Sequence, residues 1–199
     1  SAFYECKSLT SITIPDSVTS IGYEAFCGCK SLTSITIPDS VTSIGTYAFY
    51  SCDSLTAITI PDGVTRISEG AFSCWNLTDI VIPKSVTSIG VSAFYDCRKL
   101  TAIIIPGNVT SIGKRAFSGC DALKDIYYAG SEAQWTSAIT DRGTVELGDD
   151  VTVHCNYPYD AHTFGGWTVV SAATCTVPGV EKRACTDAGC KETQSREIA

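Results

Sequence analysis

A sequence motif of 23 residues recurs six times along the chain, and this repeat limits the possible folds more than any other feature of the sequence. The clearest copy occupies residues 29–49, and nearly the same text occupies residues 6–26. Leucine, isoleucine and valine recur at the same interval as a phenylalanine, so each occupies a fixed position of the repeat. We call the set of residues at one repeat position a column. The phenylalanine column comprises Phe3, Phe26, Phe49, Phe72, Phe94 and Phe117. A fixed period in this range predicts an array of stacked units rather than a globular core.

Each copy contains Leu-x-x-Ile-x-Ile, which places alternate residues on opposite faces of a short strand. Proline follows most of these segments and ends the strand, because proline cannot donate to a ladder of backbone hydrogen bonds. The pattern predicts a mostly β member of the α/β repeat class, namely a leucine-rich-repeat solenoid of about six coils. We expect the solenoid to be right-handed, as crossovers between parallel strands are.

The repeat resembles the BspA-like, Treponema-type leucine-rich repeat family over residues 1 to about 157. The resemblance rests on the text Cys-x-x-Leu-x-x-Ile-x-Ile-Pro and on the closing Ile-Gly-x-x-Ala-Phe. It implies a bacterial, extracellular or cell-surface protein that acts in adhesion or protein recognition. It carries over no catalytic residue, so the chain is not expected to be an enzyme.

We expect three parts in the chain: the solenoid over residues 1–128, a C-terminal cap over 129–157, and a small β-rich module over 158–199. Ser131 and Gln134 resemble a capping box and predict a short helix, and residues 151–155 alternate like a strand. In the last part, residues 164–170, 173–176, 180–185 and 192–198 are candidate strands, with Pro178-Gly179 as a turn. Since the chain begins within a repeat, we expect a fragment or processed product with further repeats upstream.

Eleven cysteines could indicate a disulfide framework, but five of them share one repeat position. A parallel column points all Cβ atoms the same way, which is poor geometry for pairing, so we expect buried, reduced thiols. The fourth copy is one residue short, and we expect Trp75 to occupy the cysteine position there, with a local irregularity. The five cysteines of the column are Cys6, Cys29, Cys52, Cys97 and Cys120.

The module at the C-terminus contains a possible zinc site, formed by His162, Cys175, Cys185 and Cys190. The five-residue separation of Cys185 and Cys190 is unlike a zinc knuckle, so a disulfide or buried thiols are at least equal alternatives. No other cofactor is indicated. Only two histidines occur, and His154 and Cys155 face opposite sides of a predicted strand, which prevents a catalytic dyad.

The net charge of −7 argues against nucleic acid and anionic membranes as partners, because both require a basic surface. The sequence also has no uninterrupted apolar run long enough to span a bilayer. The family resemblance implies that the expected partner is a protein ligand on a host or bacterial surface.

The outward positions of the strands form the broadest predicted surface. One column changes from threonine to Val81, Ile104 and Tyr127 in the last three coils, and the column beside it contributes Asp79 and Asp125, which flank this apolar strip. The predicted partner-binding residues are Asp79, Val81, Ala102, Ile104, Asp125 and Tyr127. Three alternatives remain: a structural stalk for another domain, a flat threonine ladder that matches a lattice, and a cap or tail folded over the strip.

Overall fold

The structure is a computed structural model that describes residues 1–139 and 145–157, together with the backbone of three strands beyond them. The chain forms two compact units, Ser1–Tyr159 and Asp160–Ala199. Within the described residues, no helix is both long enough and apolar enough to cross a membrane.

Short parallel strands alternate along the first unit. They are β1 (Ser11–Thr13), β2 (Ser20–Ile21), β3 (Ser34–Thr36), β4 (Ser43–Ile44), β5 (Ala57–Thr59), β6 (Arg66–Ile67), β7 (Asp79–Val81), β8 (Ser88–Ile89), β9 (Ala102–Ile105), β10 (Ser111–Ile112) and β11 (Asp125–Tyr128). A helix, α1 (Glu132–Ala138), and a last strand, β12 (Thr152–His154), follow.

The odd-numbered strands lie side by side on one surface of the solenoid, and β2, β4, β6, β8 and β10 form ladders on another. Strands pair at equivalent positions of adjacent coils, as in Ile12 opposite Ile35 and Ile58 opposite Ile80. This arrangement confirms the predicted leucine-rich-repeat solenoid, and it adds a second set of ladders that the sequence analysis described only as a return side.

A stack of phenylalanine rings runs through the core. Each coil is numbered here from its phenylalanine, so that Phe3 begins the first coil and Phe117 the sixth. Successive rings are nearly parallel, with centroids separated by 5.2, 5.3, 5.7, 6.1 and 5.6 Å along the column. Phe49 is 0% exposed, whereas Phe3 in the first coil is only partly buried. The isoleucines point inward as predicted: Ile58 is 3% exposed, while Thr59 beside it faces solvent.

The cysteine column has one more member than the sequence suggested. Cys74 is 0% exposed, and its Sγ–H donates to the carbonyl oxygen of Phe49 at 3.0 Å. Equivalent bonds join Cys29 to Phe3, Cys52 to Phe26, Cys97 to Phe72 and Cys120 to Phe94, each at 3.1 Å. The placement of Trp75 in this column was wrong, because Trp75 lies one residue further on and is 48% exposed.

The residue missing from the fourth coil is a turn residue. In the other five coils, the second residue after the phenylalanine has a positive φ, between 55° and 76°. These residues are Glu5, Gly28, Ser51, Asp96 and Gly119. In the fourth coil this position is occupied by Cys74, which has no positive φ. The fourth coil therefore lacks the residue in the left-handed conformation, which we call the left-handed corner, but it retains the buried thiol. The predicted local irregularity is therefore confirmed, and it coincides with the widest separation in the phenylalanine stack, 6.1 Å.

The cap closes the sixth coil with aromatic residues. α1 begins with the predicted capping box, in which the Ser131 side chain accepts from the Gln134 backbone and the Gln134 side chain accepts from the Ser131 backbone. Trp135 on this helix is 7% exposed and packs against the buried ring of Tyr128 at 5.4 Å. The Tyr128 hydroxyl donates to the carbonyl of Val109 at 3.0 Å, so its polar atom is satisfied inside the core.

The second unit contains one antiparallel sheet, in the order β13 (Thr168–Ser171), β14 (Gly179–Ala184) and β15 (Thr193–Ile198). Three of the candidate strands are therefore present with shifted ends, and residues 173–176 lie outside the described residues. Gly179 is the first residue of β14 rather than part of a turn.

Candidate functional site

The strand face carries the predicted site on β7, β9 and β11. We call Val81, Ile104 and Tyr127 the strand-face strip. Tyr127 lies opposite Ile104, Asp125 lies opposite Ala102, and β7 lies beside β9. Val81 is 41% exposed, and Ile104 and Tyr127 are partly buried. The structure therefore brings the six predicted residues together on one surface.

The cap extends this strip by one strand. β12 pairs in parallel with β11 and places His154 directly opposite Tyr127. The His154 imidazole stacks on the Tyr127 ring with a centroid separation of 4.7 Å and an interplanar angle of 15°. Tyr157 packs against the same ring, also at 4.7 Å but tilted by 45°.

Cap residues thus cover part of one end of the strip, whereas its Val81 end stays open. The sequence analysis placed the cap near the strip but did not include His154 or Tyr157 in the site. The alternating pattern of residues 151–155 could have predicted the position of His154, because a strand in register with β11 places His154 beside Tyr127.

The two acidic residues that flank the strip differ in their electrostatic surroundings. The Asp125 carboxylate lies 2.7 Å from Nε2 of His154, so its charge is balanced whenever the imidazole is protonated. Asp79 accepts a hydrogen bond from the Thr78 hydroxyl at 2.7 Å and has no lysine or arginine nitrogen within 4.0 Å among the described residues. The open end of the strip is therefore the more negative end.

An ion pair at the edge of the cap joins Lys124 to Asp150. The hydrogen bond from Lys124, together with the charge of its ammonium group, lowers the pKa of the Asp150 carboxyl. The neighbouring backbone bond from Thr152 to the Lys124 carbonyl, at 2.7 Å, holds the start of β12 against the sixth coil. Together these contacts position His154 on the strand face.

Metal binding has no support in the part of the chain that the structure describes, where no three His, Cys, Asp or Glu side chains are grouped as ligands. The predicted zinc ligands His162, Cys175, Cys185 and Cys190 all lie outside the described residues. The zinc site therefore stays a prediction.

The fold and the flat strand face define a leucine-rich-repeat solenoid. A family model described as BspA type leucine-rich repeat region matches residues 1–124 in six copies. The chain belongs to this family.

Solved structures show the same fold in bacterial leucine-rich repeat proteins. A leucine-rich cell surface protein from Faecalibacterium prausnitzii is 42% identical over 67% of this chain and 36% of its own, with a TM-score of 0.63. A leucine-rich repeat protein from Bacteroides ovatus is 38% identical over 59% of this chain and 39% of its own, with a TM-score of 0.54. The leucine-rich repeat protein of T. pallidum is 34% identical over 59% of this chain and 58% of its own, with a TM-score of 0.57.

The chain thus spans between 36% and 58% of the length of these proteins. The comparison with curated proteins finds no match.

Proposed function

We propose that the chain is a non-catalytic recognition module of a bacterial cell-surface or secreted protein, and that it binds a protein partner through the strand-face strip. Membership of the BspA-type family supports a protein-interaction role. The similar protein from Faecalibacterium prausnitzii is described as a cell surface protein, which supports the same location for this chain.

The observation that carries the proposal is the change in the outward column between the third and fourth coils. Thr13, Thr36 and Thr59 are exposed and polar, whereas Val81, Ile104 and Tyr127 follow at the same position. Tyr127 packs against His154 and Tyr157 of the cap, whereas Val81 is 41% exposed, and a solvent-exposed strand position does not need an apolar side chain for stability. An apolar strip beside an uncompensated carboxylate resembles the centre of a protein-binding hot spot.

The face is also the broadest regular surface of the solenoid, because the turns between strands are too short to enclose a pocket. Full burial of a valine or isoleucine side chain contributes about 1.5–3 kcal/mol, and these residues are already part-buried. We therefore expect about 1 kcal/mol from each on complex formation.

The test uses the whole chain and a panel of purified extracellular-matrix and bacterial-surface proteins, measured by biolayer interferometry. The double variant Val81→Ser with Ile104→Ser removes the open part of the strip and leaves the Tyr127 contacts with the cap unchanged. We expect it to weaken binding about 30-fold, which corresponds to roughly 2 kcal/mol for the two side chains together. The matched control is Thr36→Ala with Thr59→Ala, at the same repeat position on earlier coils, and it should bind like the wild type.

Equal binding by the wild type and the strip variant would place the site elsewhere on the chain. A wild-type chain that binds none of the panel proteins would favour the stalk, since a spacer needs no preferred patch.

A further inference from the structure

A second exposed aromatic surface lies away from the strand face, at the turns that flank the phenylalanine column. Tyr4, Tyr23 and Tyr50 are 49%, 56% and 37% exposed, and Tyr47 lies partly buried among them. We call these four residues the tyrosine patch. They come from the first three coils, whereas the strand-face strip comes from the last three.

Tyr47 organises the patch. Its ring contacts those of Tyr23 and Tyr50 edge-on, with centroid separations of 6.4 and 5.6 Å. The ring also lies over Gly70, where an added Cβ would come within 2.3 Å of a ring carbon. The equivalent position in other coils holds Glu24, Tyr47, Ser92 or Arg115, so the glycine leaves space for this ring.

Two glutamate side chains lie beside the rings of the tyrosine patch. The Tyr47 hydroxyl donates to Oε1 of Glu69 at 2.7 Å, and this bond raises the pKa of Tyr47 to about 12. A hydrogen bond to Glu24 likewise raises the pKa of Tyr23. Both phenols therefore remain neutral hydrogen-bond donors at physiological pH.

Among the described residues, the carboxylates of Glu24 and Glu69 have no cationic partner. Within residues 1–139 and 145–157, no lysine or arginine nitrogen lies within 4.0 Å of Glu24 or Glu69, although Glu5 nearby is paired with Lys7 at 2.6 Å. Tyrosine ring faces are electron-rich as well, so the rings and the two carboxylates present the same sign of charge to an incoming group. An apolar partner would bury the glutamates unpaired, and an acidic one would be repelled.

We infer that the tyrosine patch is a second binding surface, which takes a lysine- or arginine-containing basic segment of a protein. A guanidinium group can stack on Tyr23 or Tyr50 while it donates to a neighbouring carboxylate, and an ammonium group can do the same as a point charge. This surface is separate from the strand-face strip and does not depend on it.

The test measures binding of labelled oligo-arginine and oligo-glutamate peptides of equal length to the whole chain by fluorescence anisotropy. Tyr23→Ala with Tyr50→Ala removes two exposed rings, and Glu69→Gln removes one charge while it keeps an acceptor for Tyr47. An exposed cation–π contact corresponds to about a 2- to 5-fold change in affinity, so we expect the double variant to weaken oligo-arginine binding about 5-fold or more. Glu69→Gln should weaken it as well, and more so at low salt.

Matched controls exist on the same chain. Tyr95→Ala changes the tyrosine at the repeat position of Tyr50 on a later coil, and Asp62→Asn removes an exposed carboxylate from another turn. Both should bind oligo-arginine like the wild type, and oligo-glutamate should bind none of the proteins. The inference is overturned if the controls lose as much affinity as the patch variants. It is also overturned if the patch variants bind like the wild type, or if the Val81→Ser with Ile104→Ser variant alone loses the peptide. Circular dichroism checks that each variant keeps the wild-type fold.

Discussion

Truncation of Phe49 to alanine tests whether the ring stack holds the coils together. Phe49 is 0% exposed and lies between Phe26 at 5.3 Å and Phe72 at 5.7 Å. Removal of a buried phenylalanine side chain costs about 3–5 kcal/mol. Since the change also removes two ring–ring contacts, we expect the upper half of that range, about 4–5 kcal/mol in the free energy of unfolding.

Phe3→Ala is the matched control for this change. Phe3 occupies the same repeat position, but it is only partly buried and stacks on one ring, Phe26, at 5.2 Å. With about half of the contacts, its truncation should cost about 2 kcal/mol. Because the residue type is the same, the difference between the two variants reports the combined contribution of burial and of the second ring contact.

Urea unfolding followed by far-ultraviolet circular dichroism measures both costs. Neighbouring coils of a repeat array are coupled during unfolding, and a variant can therefore change the cooperativity of the transition. The urea midpoints are compared only for variants whose m-value, the dependence of the unfolding free energy on urea concentration, agrees with that of the wild type. A cost below about 2 kcal/mol for Phe49→Ala, or equal costs for the two variants, would show that the stack does not hold the coils together.

Two further predictions concern ionisable groups in the repeats. Burial raises the pKa of Cys29 to about 11 and also raises the pKa of Cys97, and the neighbouring Cys52 thiol together with burial raises the pKa of Cys74. Iodoacetamide should therefore modify Cys29, Cys74 and Cys97 only after denaturation, as read by mass spectrometry, whereas Cys6 is only partly buried. A disulfide between Cys29 and Cys52 would contradict the prediction of reduced thiols. Tyr47 should lose its phenolic proton near pH 12, so the stability that its neutral form provides is present below pH 10 and declines as the pH approaches 12. The ultraviolet difference titration between wild type and Tyr47→Phe measures this pKa, which should fall in Glu69→Gln; a Tyr47 pKa near 10 in the wild type would refute the role of Glu69.

The repeat made the core of the solenoid predictable from the sequence. Each inward position recurs at a fixed interval, and the six copies carry similar apolar residues there, which indicates that the position is buried in every coil. The helix of the cap was predictable for a different reason, because Ser131 and Gln134 form a local signal that needs no tertiary information.

The assignment of Cys74 to the cysteine column could not be made from the sequence alone. A segment between Phe72 and Leu77 that is one residue short can be aligned with the loss before or after the cysteine. Only the bond from Cys74 to the Phe49 carbonyl and the missing positive φ show that the loss precedes it. Sequence spacing alone does not carry this information.

The tyrosine patch was also beyond the reach of periodic reasoning. Tyr23 and Tyr47 occupy different repeat positions, and no column contains both. They meet because the coils stack and because Gly70 leaves space for one ring. His154 joined the strand-face strip for a similar reason, since its register with Tyr127 depends on how the cap folds back onto the sixth coil.

The cysteine-to-phenylalanine hydrogen bonds have a consequence for how genes of this kind change length. Every coil presents the same carbonyl oxygen and the same ring to the next coil, so unequal recombination that adds or deletes one whole repeat keeps the thiol–carbonyl bond and the ring contact at each junction. The short fourth coil shows that even a single-codon loss is absorbed when it falls at the left-handed corner. Selection can therefore lengthen or shorten the outer surface by copy number, while the interior needs no compensating substitutions.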